Sequence, residues 1–376
     1  GNLMVRELPT TDPSFYDHRL AGEGYPFDNL QISAARPGTP LYVLGSSVDG
    51  AWFYVQTPDV QGWVRSDGVA LADDRFVDAW RAATGKSLGA VTVASAPVRD
   101  SHGVFRFDAP AGTLLPVLPT LSRTQAHAAR DAVNSAAHFA ANPAANSAAN
   151  SATSEPDSAD AVPAAMREVL VPVRDADGRA LIRTATLSET QIAPMPLAAT
   201  PRHLAMLMKT LIGRPYGWGN SGLYNDCSSE LQSIFAAFGV WLPRHSSTQM
   251  SAGRMIDLSA STPAQRLDYL AQHGEPLRTL IYIGGHVMLY IGNTTRDGVA
   301  VPVVYQDVWG LRPADNSRRA VIGGSVILPL LEHIPEDATL QSLAATPIFQ
   351  ISILGGPAGG IAPPSAAPAD EDNPAG

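Results

Sequence analysis

Cysteine occurs once in 376 residues, at position 227, within NDCSSELQSIFAAFGVWLPRHS (225–246). Asn225 or Asp226 can cap a helix there, and Leu231, Ile234, Phe235 and Phe238 follow at i, i+3, i+4 and i+7 as one buried stripe. Cys227 then falls in the first turn, where unpaired N–H groups and the helix dipole stabilise a thiolate and lower its pKa. Helix position alone leaves two readings open, a nucleophile or a small core residue.

A thiolate nucleophile needs a base, and nine histidines compete for that role. His286 opens HVMLYIG directly after Gly284-Gly285, a pair that lets a substrate or another backbone approach closely. Strand alternation puts it on the face of Met288 and Tyr290, opposite Val287, Leu289 and Ile291. The plainer alternative is a histidine that merely ends an edge strand. His245 follows the Cys helix in a loop, His203 precedes another helix, and His273 and His333 lie in polar surroundings. His102, His127 and His138 belong to an upstream strand cluster or an insertion. The base in turn needs an orienting group, and VVYQDVWG offers Gln306 and Asp307. The gap NTTRDG predicts that this strand forms a hairpin with the His286 strand. Gln306 can accept from a ring nitrogen; Asp307 would do so more strongly, but pleating sends it to the opposite face.

Several elements must hold these residues. HLAMLMKTLIG (203–213) has helical spacing and a glycine stop, and TLIYIGGHVMLYIGN and VAVPVVYQDVWG read as strands, so residues 195–350 form an α+β domain. Upstream, residues 38–72 read as three short strands with turns at Asp49-Gly50 and Pro58-Asp59, the pattern of a small barrel. A second strand cluster begins at 90 and resumes at 168, with a hairpin at Asp177-Gly178. The expected division is 1–35 as an N-terminal segment, 36–85 and 86–190 as two barrels, and 195–350 as the α+β domain. An Ala/Asn/Ser-rich insertion at about 120–165 and a tail at 355–376 are expected to be disordered.

Composition narrows the partners. A formal charge of −9 and only two lysines, Lys86 and Lys209, provide no basic stripe for nucleic acid. No apolar run is long enough for a transmembrane helix. The chain lacks a cysteine pair, an HExxH pattern and a glycine-rich phosphate loop, so no metal and no organic cofactor is expected.

Taken together, Tyr216-x-Trp218-Gly219, Asp226-Cys227-Ser228, LPR at 242–244 followed by Gln249, and GGHVMLYIG resemble the NlpC family of papain-like cell-wall cysteine peptidases. The upstream clusters resemble the two bacterial SH3-like domains of one branch, and GEGYPFDNLQ (22–31) resembles that branch's N-terminal segment, which packs on the catalytic domain. The resemblance implies an α+β papain-like fold behind two small SH3-like β-barrels, and cleavage of the γ-D-glutamyl–diaminopimelate bond in peptidoglycan stem peptides. It makes Cys227 the nucleophile, His286 the base and Gln306 the third polar group, a position often held by His. Tyr216, Trp218, Asp226, Ser228 and Gly285 become substrate contacts. A monomer in the periplasm or cell envelope is expected. Whether intact wall or free stem peptide is cut stays open. A wall-binding protein with a weakened catalytic domain is the alternative, and acyl transfer by the same Cys/His pair is a third.

Overall fold

The computed structural model describes residues 3–17, 20, 22–119 and 165–355. The Ala/Asn-rich insertion and the C-terminal tail expected from the sequence lie outside the described residues.

The first sheet runs β2-β1-β5-β4-β3, from β1 (Leu3–Arg6), β2 (Gln31–Ala35), β3 (Tyr42–Ser46), β4 (Trp52–Gln56) and β5 (Gln61–Arg65). Valines alternate inward to make a small core of Val5, Val55, Val60 and Val64. Residues 1–35 thus supply two strands here. They also send Tyr25 and Phe27 against Trp309, and Phe27 against Tyr216 and Trp218. A helix absent from the sequence reading, α1 (Asp74–Thr84), follows; the Asp73 carboxylate caps it by accepting from the Phe76 N–H.

The second cluster comprises β6 (Leu88–Val91), β7 (Ser95–Arg99), β8 (Phe105–Pro110), β9 (Leu114–Pro116), β10 (Met166–Arg174), β11 (Ala180–Ser188) and β12 (Ile192–Pro194). The β10–β11 hairpin turns at Asp175–Gly178, where Gly178 takes a positive φ of 81°. Neither SH3-like domain closes into a continuous hydrogen-bonded barrel among the described residues. No ladder joins β2 to β3. The second domain splits into β12-β6-β9, β7-β8 and β10-β11, tied by isolated bridges such as Val117↔Val169.

The C-terminal domain is built on a six-stranded antiparallel sheet, β13-β18-β14-β15-β16-β17. Its strands are β13 (Gly253–Asp257), β14 (Thr279–Tyr282), β15 (Val287–Arg296), β16 (Val299–Leu311), β17 (Ala320–Pro329) and β18 (Gln350–Leu354). Helices α2 (Pro201–Leu211) and α3 (Cys227–Ala236) share one core with Leu280, Val287, Leu289 and Tyr305. Helix α4 (Pro263–His273) shares the opposite core with Ile281, Met288, Tyr290 and Val304. The centre of the sheet is buried on both faces, so β14 and the first half of β15 are apolar except at Thr279.

Candidate active site

Helix α3 starts as the sequence suggests, with Asp226 at its N-cap. The Asp226 carboxylate accepts from the Ser229 N–H, and the Ser229 hydroxyl accepts from the Asp226 N–H, a reciprocal cap. The Asp226 carboxylate also accepts from the Gly219 N–H and the Ser228 hydroxyl, and from both terminal nitrogens of Arg244, the closer at 2.6 Å. Arg244 reaches further, donating from Nε to Ser33 on β2 at 2.8 Å and from Nη1 to the Ser228 hydroxyl at 2.9 Å. Gln249 holds the same turn by donating to the carbonyls of Ser228 and Pro243. The Arg244 guanidinium and the backbone N–H keep Asp226 below the usual carboxylate range despite its burial.

The Tyr216–Gly219 turn is pinned from the N-terminal segment. The Trp218 indole donates to the Asp28 carbonyl, and Gln31 donates to the Gly219 carbonyl at 2.9 Å. Gly219 has φ 57°, and a Cβ there would meet the Gln31 side chain at 2.6 Å, so glycine is required twice over. Burial and the neighbouring Cys227 hold the Tyr216 phenol well above its ordinary pKa, as a neutral hydroxyl.

His286 precedes β15 after two glycines at φ 80° and 82°. Its Nε2 lies 2.8 Å from Gln306 Oε1 on β16. An amide oxygen only accepts, so Nε2 carries the proton and Nδ1 is left as the basic nitrogen. Burial pulls the imidazole down to about 4, against a smaller upward pull from Gln306. Cys227 packs in the same buried core as Val287, one residue after His286. Gly285 is exposed, with open space where a side chain would stand. Ser228 and Asp226 are buried beside the nucleophile.

One expectation fails. The helix start does not lower the Cys227 pKa; burial and the Asp226 carboxylate push the thiol up to about 12. The positive end of the dipole is already taken by Asp226, leaving the sulfur in a dry site next to a negative charge. The resting pair is therefore a neutral thiol and a neutral imidazole.

Two buried polar residues, Arg244 and Glu230, had no chemical role in the sequence reading, and a third, Asp307, entered it only as a possible orienting group for His286. Arg244 was visible only as part of the LPR run. Glu230 accepts from the Tyr305 and Ser325 hydroxyls and from Asn225. Asp307 lies on the face opposite Gln306, as pleating requires, and neither carboxyl oxygen has a hydrogen-bond partner among the described residues. Burial, with Glu230 and Asp226 nearby, pushes its carboxyl up to about 10.

This architecture, a helix that starts at the cysteine and packs on an antiparallel sheet carrying a His–Gln pair, defines a papain-like domain behind two SH3-like domains. Comparison with known families agrees: residues 13–65 match an SH3 domain of SH3b1 type, 73–120 an SH3 domain of SH3b2 type, and 213–315 the NlpC/P60 family. The chain thus carries two SH3b domains followed by a domain that belongs to the NlpC/P60 family. It is similar to an NlpC/P60 endopeptidase from Photobacterium damselae subsp. piscicida, with TM-score 0.72, 26% identity, and 94% of this chain and 71% of that one covered. An NlpC/P60 family protein from Bacillus cereus ATCC 10987 shares the fold at TM-score 0.52 and 15% identity, over 91% of this chain and 98% of that one. A gamma-D-glutamyl-L-lysine dipeptidyl-peptidase of Bacillus subtilis (strain 168) is 34% identical over 86 residues, 22% of this chain. The matched part spans only 29% of that relative's length.

Proposed function

We propose that this protein is a peptidoglycan hydrolase, a cysteine endopeptidase that cuts the γ-D-glutamyl–diaminopimelate bond of stem peptides. The observation that carries the reading is Cys227 at the capped start of α3, packed in one core with Val287, the residue after His286, whose ring is held by Gln306. The relatives support it: one solved neighbour is described as an endopeptidase, and the curated relative is named for a γ-D-glutamyl bond.

The neutral resting pair dictates how the chemistry starts. A thiol held near 12 does not supply a standing thiolate at neutral pH, so proton and sulfur move together. His286 Nδ1 takes the thiol proton as Cys227 attacks the γ-carbonyl, and the imidazolium then protonates the departing amine. The Ser229 N–H is occupied by the cap, which leaves the first-turn N–H groups of Cys227 and Ser228 to meet the oxyanion. Water, activated by the same histidine, releases the acyl-enzyme. Tyr216, Trp218 and Gly285 line the approach, whereas Asp226 and Ser228 act on the stem peptide through the charge and shape of the wall. The cell envelope, where the substrate lies, is the compartment this reading implies.

The test pairs L-Ala-γ-D-Glu-diaminopimelate with intact sacculi and follows products by mass. Cleavage at the γ-D-Glu bond is expected, and Cys227→Ala and His286→Ala should each abolish it. Wild-type turnover in Cys227→Ala would sink the mechanism. Sacculus binding without turnover would favour a wall-binding protein. Cleavage of sacculi as well as free peptide would mark a lysin.

A further inference from the structure

Glu230 is 1% exposed, and no step of the hydrolysis uses it. It lies on α3 one turn after Cys227, about 4.5 Å further along the helix axis. One of its carboxylate oxygens accepts from the Tyr305 hydroxyl at 2.5 Å and from the Ser325 hydroxyl at 2.6 Å. The other accepts from the Asn225 amide at 3.3 Å, and Asn225 in turn accepts from Arg36 at 3.0 Å. Tyr305 stands on β16 directly before Gln306, and Ser325 on β17 pairs with Asp307, directly after it. A single carboxylate therefore joins the start of α3 to the strand that carries Gln306 and to that strand's neighbour.

The same strand reaches the histidine. Tyr305 pairs with Leu289 on β15, the strand that His286 precedes, and Gln306 Oε1 lies 2.8 Å from His286 Nε2. The tie thus sits one helical turn from the nucleophile and one strand residue, about 3.4 Å, from the group that holds the imidazole. Around it, Leu231 and Ile234 of α3 meet Val287 and Leu289 in an apolar core. Apolar packing is non-directional, whereas two short bonds to one carboxylate oxygen fix a separation. A leucine would fill this place without the cost of burying a carboxylate; what the glutamate adds is direction.

We propose that Glu230 is a positioning residue: it sets the separation between Cys227 on α3 and the His286–Gln306 pair on the sheet. The inference rests on the proposed Cys227/His286 chemistry and adds to it the element that spaces the two groups. Reacting atoms must lie about 3–3.5 Å apart, and a misplacement of about 1 Å can cost 100-fold in rate. Buried as it is, Glu230 acts through its neighbours and not on the substrate.

The test alkylates the sole cysteine with iodoacetamide at pH 7, followed by mass, beside hydrolysis of L-Ala-γ-D-Glu-diaminopimelate. Alkylation forms an S–C bond, expels iodide and passes the thiol proton to His286, so it reads the pair without any peptide. His286→Ala sets the floor. Glu230→Ala should alkylate about 10- to 30-fold more slowly than wild type, with kcat reduced to a similar extent and KM within about threefold. Glu230→Gln keeps an oxygen for Tyr305 and Ser325 and should stay within about threefold of wild type in both assays. Tyr305→Phe removes one bond and keeps the ring; about a three- to tenfold loss is expected, which holds the test open should Glu230→Ala fail to fold. The double variant should be no slower than Glu230→Ala alone, because the two changes remove a shared bond. Wild-type alkylation and kcat in Glu230→Ala or Tyr305→Phe, with only the urea-unfolding free energy lowered, would overturn the proposal. An equal loss in Glu230→Gln would assign the effect to charge and overturn it too, as would alkylation that ignores His286→Ala. Absence of peptide hydrolysis in the wild type would sink the hydrolase reading alone, since the alkylation rates still decide the spacing.

Discussion

Two buried carboxyls act on the same sulfur, and the protein treats them in opposite ways. Asp226, at the start of α3, is 6% exposed; its side chain accepts five hydrogen bonds, two of them from Arg244. Asp307, on β16, is 1% exposed and accepts none among the described residues. Depth is nearly the same, yet one is held below the carboxylate range and the other is raised to about 10. Donors, not depth, decide which acid carries charge in a dry site. Asp226 provides a fixed negative charge beside Cys227, while Asp307 stays a neutral acid on β16.

The largest effect should come from stripping the charged acid of its partner. Arg244→Met leaves Asp226 ionised, buried and uncompensated, and cuts the tie to Ser33 on the first sheet. Such a loss costs about 3–5 kcal/mol, read as a fall in urea-unfolding free energy at pH 7. A cost below about 1 kcal/mol would mean that water already screens Asp226, and the contrast with Asp307 would disappear.

A smaller loss is expected at the histidine. Gln306→Ala removes the acceptor that fixes the His286 tautomer but leaves the imidazole in place. The value of kcat/KM should drop about 10- to 100-fold, less than removal of the base itself. Because the Gln306 bond raises the imidazole pKa, the acid limb of the pH–rate profile should move lower in the variant. A loss equal to that of His286→Ala would show that orientation carries the whole contribution of the base.

The residues proposed to act on the reacting groups were legible because local pattern marks them. A lone cysteine after a capping residue, two glycines before a strand, and a hairpin gap that brings Gln306 alongside all have short-range causes. Neither the N-terminal strands of the first sheet nor α1 was read in that way. Residues 1–35 have weak alternation, and α1 keeps no fully buried residue that would fix its stripe. Arg244, Glu230 and Arg36 were silent for a different reason. Each is a polar residue whose burial exists only because a partner arrives from far along the chain: Ser33 to Arg244, Tyr305 and Ser325 to Glu230, and Asn225 to Arg36. The thiol pKa was misjudged on the same ground. The dipole is local and readable, but the carboxylates and burial that outweigh it are tertiary.

The finest separation of the two acids comes from pH. Unfolded, an aspartate ionises near the ordinary value of 3.8, whereas folded Asp307 keeps its proton to about 10. Across that window the folded state binds more protons than the unfolded state, so this residue lowers stability as pH rises. His286 works in the other direction, but only between its folded value of about 4 and its unfolded 6.5, where stability falls as pH falls. Above pH 7 the histidine is silent, which isolates the aspartate. Asp307→Asn keeps the shape and removes the ionisation, so it should be about 4 kcal/mol more stable than wild type at pH 7. That gap should widen towards pH 9 and close near pH 4. Parallel urea-stability curves for the two proteins from pH 4 to 9 would show that Asp307 ionises in the folded state like its partner across the sulfur.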